Sequence, residues 1–153
     1  MAAKDAESSE QEPGREIARR LIESRRSAHA GTDANARAAS DACADLYYEL
    51  SRWLGPEGCH ALFNRALIQA GTHHQALEQI QLRAQSDRYV EGIAEAIMAH
   101  GDAATSSALE SLLTNLVVLL GRLIGEDMAM RLIEPSLRPG DSGTSDSRKR
   151  EEA

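Results

Sequence analysis

The chain reads as an all-α protein, a compact bundle of five to six helices with disordered termini. Three observations predict this. Apolar residues recur at helical spacing through most of the middle of the chain. Gly55-Pro56, Gly101-Asp102 and Gly125-Glu126 punctuate that pattern where one helix stops and another starts. Hydrophobic residues make up 42% but aromatics only 3%, so Leu and Ala must supply most of the core. At 153 residues there is material for one domain of ordinary size.

Residues 1–14 set Lys4 against Asp5, Glu7, Glu10 and Glu12 and close with Pro13-Gly14, the pattern of a disordered acidic tail. Residues 15–31 read as a short basic amphipathic helix and linker. Ile17, Ala18, Leu21 and Ile22 share one side, among Arg15, Arg19, Arg20, Arg25 and Arg26, in a segment expected to pack lightly on the domain. The helical domain is expected over 32–137, with Thr32 or Asp33 suited to cap its first helix. There Ala39, Cys43, Leu46, Leu50, Trp53 and Leu54 form the apolar face, opposite Asp41, Asp45, Glu49 and Arg52. Past Gly55, the residues Cys59, Leu62, Phe63, Ala66, Leu67 and Ala70 form a second face, ended by Gly71. Residues 72–86 fit a helix through Leu77, Ile80 and Ala84, or a short strand through Ile80, Leu82 and Ala84, and helix is the expectation. Val90, Ile93, Ala94, Ile97 and Met98 share the next face, and His100-Gly101 ends it. From Asp102 to Ile124 the leucines spread over an arc of roughly 160°, wider than the ~100° one amphipathic face needs. That helix is therefore expected at the centre of the fold. A last helix uses Met128, Leu132 and Ile133, and residues 138–153 read as a disordered tail.

Charge narrows the function classes. The formal net charge is −7, and residues 27–137 hold seven arginines, fourteen acids and no lysine. Such a surface opposes nucleic-acid binding, which needs positive charge to displace counterions. No phosphate-binding loop motif is present. The apolar stretch Leu109–Ile124 carries Glu110, Asn115 and Arg122 and falls short of the roughly 20 residues a bilayer requires, so stable membrane insertion is not expected. No secretory or mitochondrial leader precedes it, which predicts a cytoplasmic protein. Arginine in place of lysine, with abundant alanine, fits a GC-rich bacterial genome.

Catalytic chemistry finds little support. Cys59, His60, His73, His74 and His100 hold no metal-ligand spacing, and adjacent histidines on a helix point about 100° apart, so no metal or cofactor is expected. Cys43 and Cys59 fall on apolar faces and read as packed side chains. The carboxylate pairs Asp41/Asp45 and Glu91/Glu95 read as solvated helix surface. No catalytic residue is assigned, and the protein is expected not to be an enzyme.

Apolar residues on polar faces point instead to contact with a partner. Tyr48 interrupts an acidic stripe, Val118 lies between Thr114 and Arg122, and Ile68 sits off its helix's main face. Tyr48, Ile68 and Val118 are the interface candidates.

Two segments also carry a resemblance. One is Arg52-Trp53-Leu54-Gly55-Pro56-Glu57-Gly58 leading into Ala61-Leu62-Phe63-Asn64-Arg65-Ala66-Leu67; the other is Leu119-Leu120-Gly121-Arg122-Leu123-Ile124-Gly125-Glu126-Asp127. As a pair they resemble small, uncharacterised bacterial helical proteins, which implies an all-α bacterial domain and no particular activity. The expectation is a bacterial regulatory or adaptor module that binds through helix faces, either a basic protein partner or itself as a homodimer. The alternative is a small-molecule sensor with a pocket between helices lined by Trp53, Phe63 and Met98.

Overall fold

The computed structural model describes residues 2–83 and 89–137, with side chains from Glu12 onward. It is an all-α bundle. The helices are α1 (Ala2–Arg26), α2 (Ala34–Leu54), α3 (Pro56–Gly71), α4 (Ile93–His100), α5 (Asp102–Ile124) and α6 (Glu126–Leu137). Between α3 and α4 lie a 3-10 turn (Gln75–Gln79) and two-residue strands β1 (Gln81–Leu82) and β2 (Val90–Glu91). The strands pair antiparallel, Gln81 with Glu91 and Leu82 with Val90.

Helix α5 is central, packing against all five other helices. Its leucines at 109, 112, 113, 116, 119 and 120 are buried, and the wide apolar arc is what lets one helix face so many neighbours. By length and composition α5 could also cross a membrane, and half of that apolar window is buried inside the bundle. Leu123, past the reach of its neighbours, is exposed.

Helix α1 departs most from expectation. It continues N-terminally of Arg15 through Pro13, and Ala18 and Leu21 are buried in the same core as α5. The basic segment is thus part of the bundle that was expected to start at residue 32, and it does not pack lightly. Pro13-Gly14 resembles punctuation, but Gly14 is where α1 touches α5. A Cβ there would lie 3.1 Å from Val118 Cγ2 and 3.2 Å from the Thr114 carbonyl oxygen. The expected tail 138–153 lies outside the described residues.

The segment 72–86 is neither of the simple alternatives. The chain makes the 3-10 turn and enters the small hairpin, while residues 84–88 lie outside the described residues. Gly92 then brings the chain back against Gln79 with φ 93°, and a Cβ at Gly92 would fall 1.8 Å from the Gln79 carbonyl oxygen. Because α4 starts only after Gly92, Val90 belongs to β2. The buried face of α4 is Ile93 and Ala96, with Ile97 packed against the core.

Helix α2 is started from a distance. Asp33 occupies its N-cap position without capping through its side chain and instead accepts from Arg37 Nε at 2.5 Å. The free N–H of Ala36 donates to Asp102 Oδ1 at 2.8 Å, and Asn35 Nδ2 donates to Asp102 Oδ2 at 3.1 Å. The first residue of α5 therefore supplies the cap of α2.

Candidate functional site

The acidic stripe of α2 does not face open solvent along its length. Asp41 and Asp45 line a groove of about 940 Å³ whose opposite side carries Glu91 of β2 and Glu95 in the first turn of α4. Two carboxylate pairs 50 residues apart in sequence (41 and 91, 45 and 95) thus share one groove. Glu91 and Glu95 were expected on one helix face; Glu91 lies in a strand, and what unites the pair is the turn at Gly92. Ala44, Tyr48, Val90 and Ile93 add apolar surface to the same lining.

Cations answer part of this charge. Arg25, at the end of α1, pairs with Asp45. His29 Nε2 lies 2.5 Å from Asp41 Oδ2, and Arg83 Nε lies 2.8 Å from Glu91 Oε1. Arg26 Nε donates to Asn35 Oδ1 at 2.7 Å, and Arg19 reaches Glu110 at 3.5 Å. Two of the α1 arginines, Arg19 and Arg25, therefore pair with acids of the helical domain itself. Glu95 has no cationic partner among the described residues. Of the four carboxylates, Asp41, Asp45 and Glu91 each face a cation or an imidazole, and Glu95 is left to carry the groove's uncompensated negative charge.

The interface candidates separate. Tyr48, 45% exposed, lines the acidic groove. Ile68, 70% exposed, lies on α3 and lines none of the larger hollows described below. Val118 is half-buried, because α1 covers it at Gly14, and it lines a second cavity between α1, α5 and α6.

The pocket candidates do not form a pocket. Phe63 is fully buried, whereas Trp53 is 67% and Met98 87% exposed. Trp53 stands in the last turn of α2, and Met98 faces outward from α4. Phe63 packs instead with rings that the sequence reading passed over. Tyr89 stacks on Tyr47 with centroids 3.8 Å apart, and both meet Phe63 edge-on. Tyr89 is held at φ 64°, a conformation unfavourable for a bulky residue, and its hydroxyl is hydrogen-bonded to His60 Nδ1 at 3.0 Å. Burial pushes the Tyr89 phenol strongly upward, so it stays protonated. An isolated tyrosine beside a Ser-Asp-Arg run carried no periodic signal that could have marked it.

The remaining reactive groups are set into the core. Cys43 and Cys59 are free and buried, and burial pushes each thiol up to about 12, so neither is a thiolate at neutral pH. His73, His74 and His100 line one shallow hollow, where burial and the neighbouring His73 hold His74 below the usual imidazole range. Among the described residues no three His, Cys, Asp or Glu side chains are placed to hold a metal ion. Compared with known families, curated proteins and solved structures, the chain matches none.

Proposed function

We propose that this chain is a non-enzymatic interaction module, of regulatory or adaptor type, that takes a basic segment of a protein partner into the acidic groove between α2 and β2–α4. The observation that carries this is the convergence of Asp41, Asp45, Glu91 and Glu95 on one groove that also offers the exposed Tyr48. Glu95 offers a cationic partner an unpaired carboxylate, the exposed pairs of Asp41 and Glu91 are open to exchange with its cations, and the Tyr48 ring is covered as it binds. Charge also steers the encounter, so association should be fast and sensitive to salt.

The test is fluorescence anisotropy of a labelled amphipathic peptide rich in Lys, Arg and Leu, titrated with the full chain. Binding should weaken with added salt, and Glu95→Lys combined with Asp41→Asn should weaken it by roughly tenfold. Glu95 has no ion pair to lose, and Asn at 41 still offers an oxygen to His29, so the variant keeps the fold. Equal binding by the variant, or equal binding of an acidic peptide, would overturn the proposal.

A further inference from the structure

The cavity between α1, α5 and α6 has a different chemistry, and we propose that it binds a small, uncharged, mainly apolar molecule. Its volume is about 390 Å³, and its walls carry Ile17, Val117, Val118, Met130 and Ile133. Arg122 and Glu126 are the charged residues in its lining, opposite in sign and both exposed, so the lining has no net charge to select an ion. That composition suits a molecule with an apolar body and one neutral polar group.

The shape of the cavity follows from two glycines in opposite situations. At Gly14 the backbones of α1 and α5 are in contact, and a side chain there would press on Val118 and the Thr114 carbonyl. Gly121 lies in α5 on the lining of the same cavity, and a Cβ there would meet only Glu126 Cγ, at 3.7 Å. That is ordinary contact with the end of a flexible side chain. A glycine inside a helix costs about 1 kcal/mol relative to alanine. Neither close backbone approach nor a left-handed turn demands one at 121. What the missing side chain does is keep the cavity open.

Size agrees with a small occupant. The cavity falls near the lower end of the roughly 300–1,000 Å³ range of small-molecule sites. Val118, the apolar residue on an otherwise polar stripe of α5, is accounted for by this cavity and by α1 rather than by an exposed interface.

The experiment titrates the full chain with N-phenyl-naphthylamine, a neutral probe that brightens in apolar surroundings, and in parallel with anionic anilinonaphthalene sulfonate. The neutral probe should bind saturably and more tightly than the anion. Gly121→Leu extends a side chain into the cavity while improving helix propensity, and it should weaken the neutral probe at least tenfold with no loss of thermal stability. Met130→Phe fills the space from α6 and repeats the test should the first variant fail to fold. Unchanged probe affinity in a folded filling variant, absence of saturable binding by the wild type, or tighter binding of the anion would each overturn the proposal. The basic-peptide assay on Gly121→Leu keeps the two sites apart: peptide binding should persist where probe binding is lost.

Discussion

Helix α5 and the path through residues 75–83 and 89–92 hold their conformations by different means, although α5 packs against the 3-10 turn of that path. In α5 the same contribution is repeated: leucine after leucine turns to the core, and each supports a helix whose hydrogen bonds are already local. In residues 75–83 and 89–92 almost nothing repeats. The path depends on one glycine pressed against the Gln79 carbonyl, one tyrosine held at positive φ by the Tyr47 ring, and a hairpin of two residue pairs. Stability that is spread along a period tolerates local change; stability concentrated at single contacts does not. The acidic groove borrows one side from each kind, with Asp41 and Asp45 on a regular helix and Glu91 and Glu95 on either side of Gly92.

That contrast breaks most directly at Gly92. Gly92→Ala adds a single methyl where an oxygen already stands, on a backbone with φ 93°, and should cost about 4 kcal/mol in urea denaturation. In α5, Leu113→Ala removes three carbons from a fully buried site and should cost about 3 kcal/mol. The comparison requires one added methyl in the hairpin region to cost at least as much as the larger deletion from the central helix. A Gly92→Ala cost below about 1 kcal/mol would mean that the segment rearranges freely. Amide exchange sharpens the same point, since Gly92→Ala should deprotect residues 75–83 and 89–92 first, whereas Leu113→Ala should loosen the whole bundle.

A smaller effect of opposite sign is expected inside α5. Thr105 is fully buried and its hydroxyl has no hydrogen-bond partner among the described residues. Thr105→Val keeps the branched shape and removes the unmet polar group, and it should raise stability by about 1 kcal/mol. A loss of stability would show that the hydroxyl is satisfied after all and that α5 is less regular than its leucines suggest.

The same division explains what could be read from the sequence. The bounds of α5, Asp102 to Ile124, were legible because a period and two glycines agree. Facing was less legible than boundaries: α4 starts at Ile93 rather than before Val90, and Met98 faces outward, while α2 ends at Leu54, just before Gly55, as its punctuation predicts and Trp53 in its last turn is still uncovered. Pro13-Gly14 misled because a glycine that ends a helix and a glycine that lets two helices touch look alike in one dimension. Of the candidate site, Tyr48 and Val118 were visible as anomalies, whereas both carboxylate pairs looked like ordinary solvated helix surface. Their destinations, one acidic groove and one apolar cavity, depended on contacts between residues far apart in the chain.

The start of α2 joins the two regimes, and the smallest expected effect lies there. The helix is periodic, yet one of its first backbone N–H groups, that of Ala36, is met by Asp102 from the start of α5, leaving Asp33 to pair with Arg37. The hydrogen bond from Arg37 is the main reason that the Asp33 carboxyl stays below the ordinary aspartate range, partly offset by desolvation. A carboxyl depressed in the folded state adds stability above its unfolded pKa and loses it as pH falls through the folded value. Melting temperatures of the wild type and Asp33→Asn, followed from about pH 7 down to about pH 3, should therefore converge as the acid is protonated. The gap at neutral pH should be small, because the pair is solvent-exposed. A gap that stays constant with pH would assign the role of Asp33 to backbone shape at the helix entrance, and the ion pair would then contribute nothing to holding α2 in place.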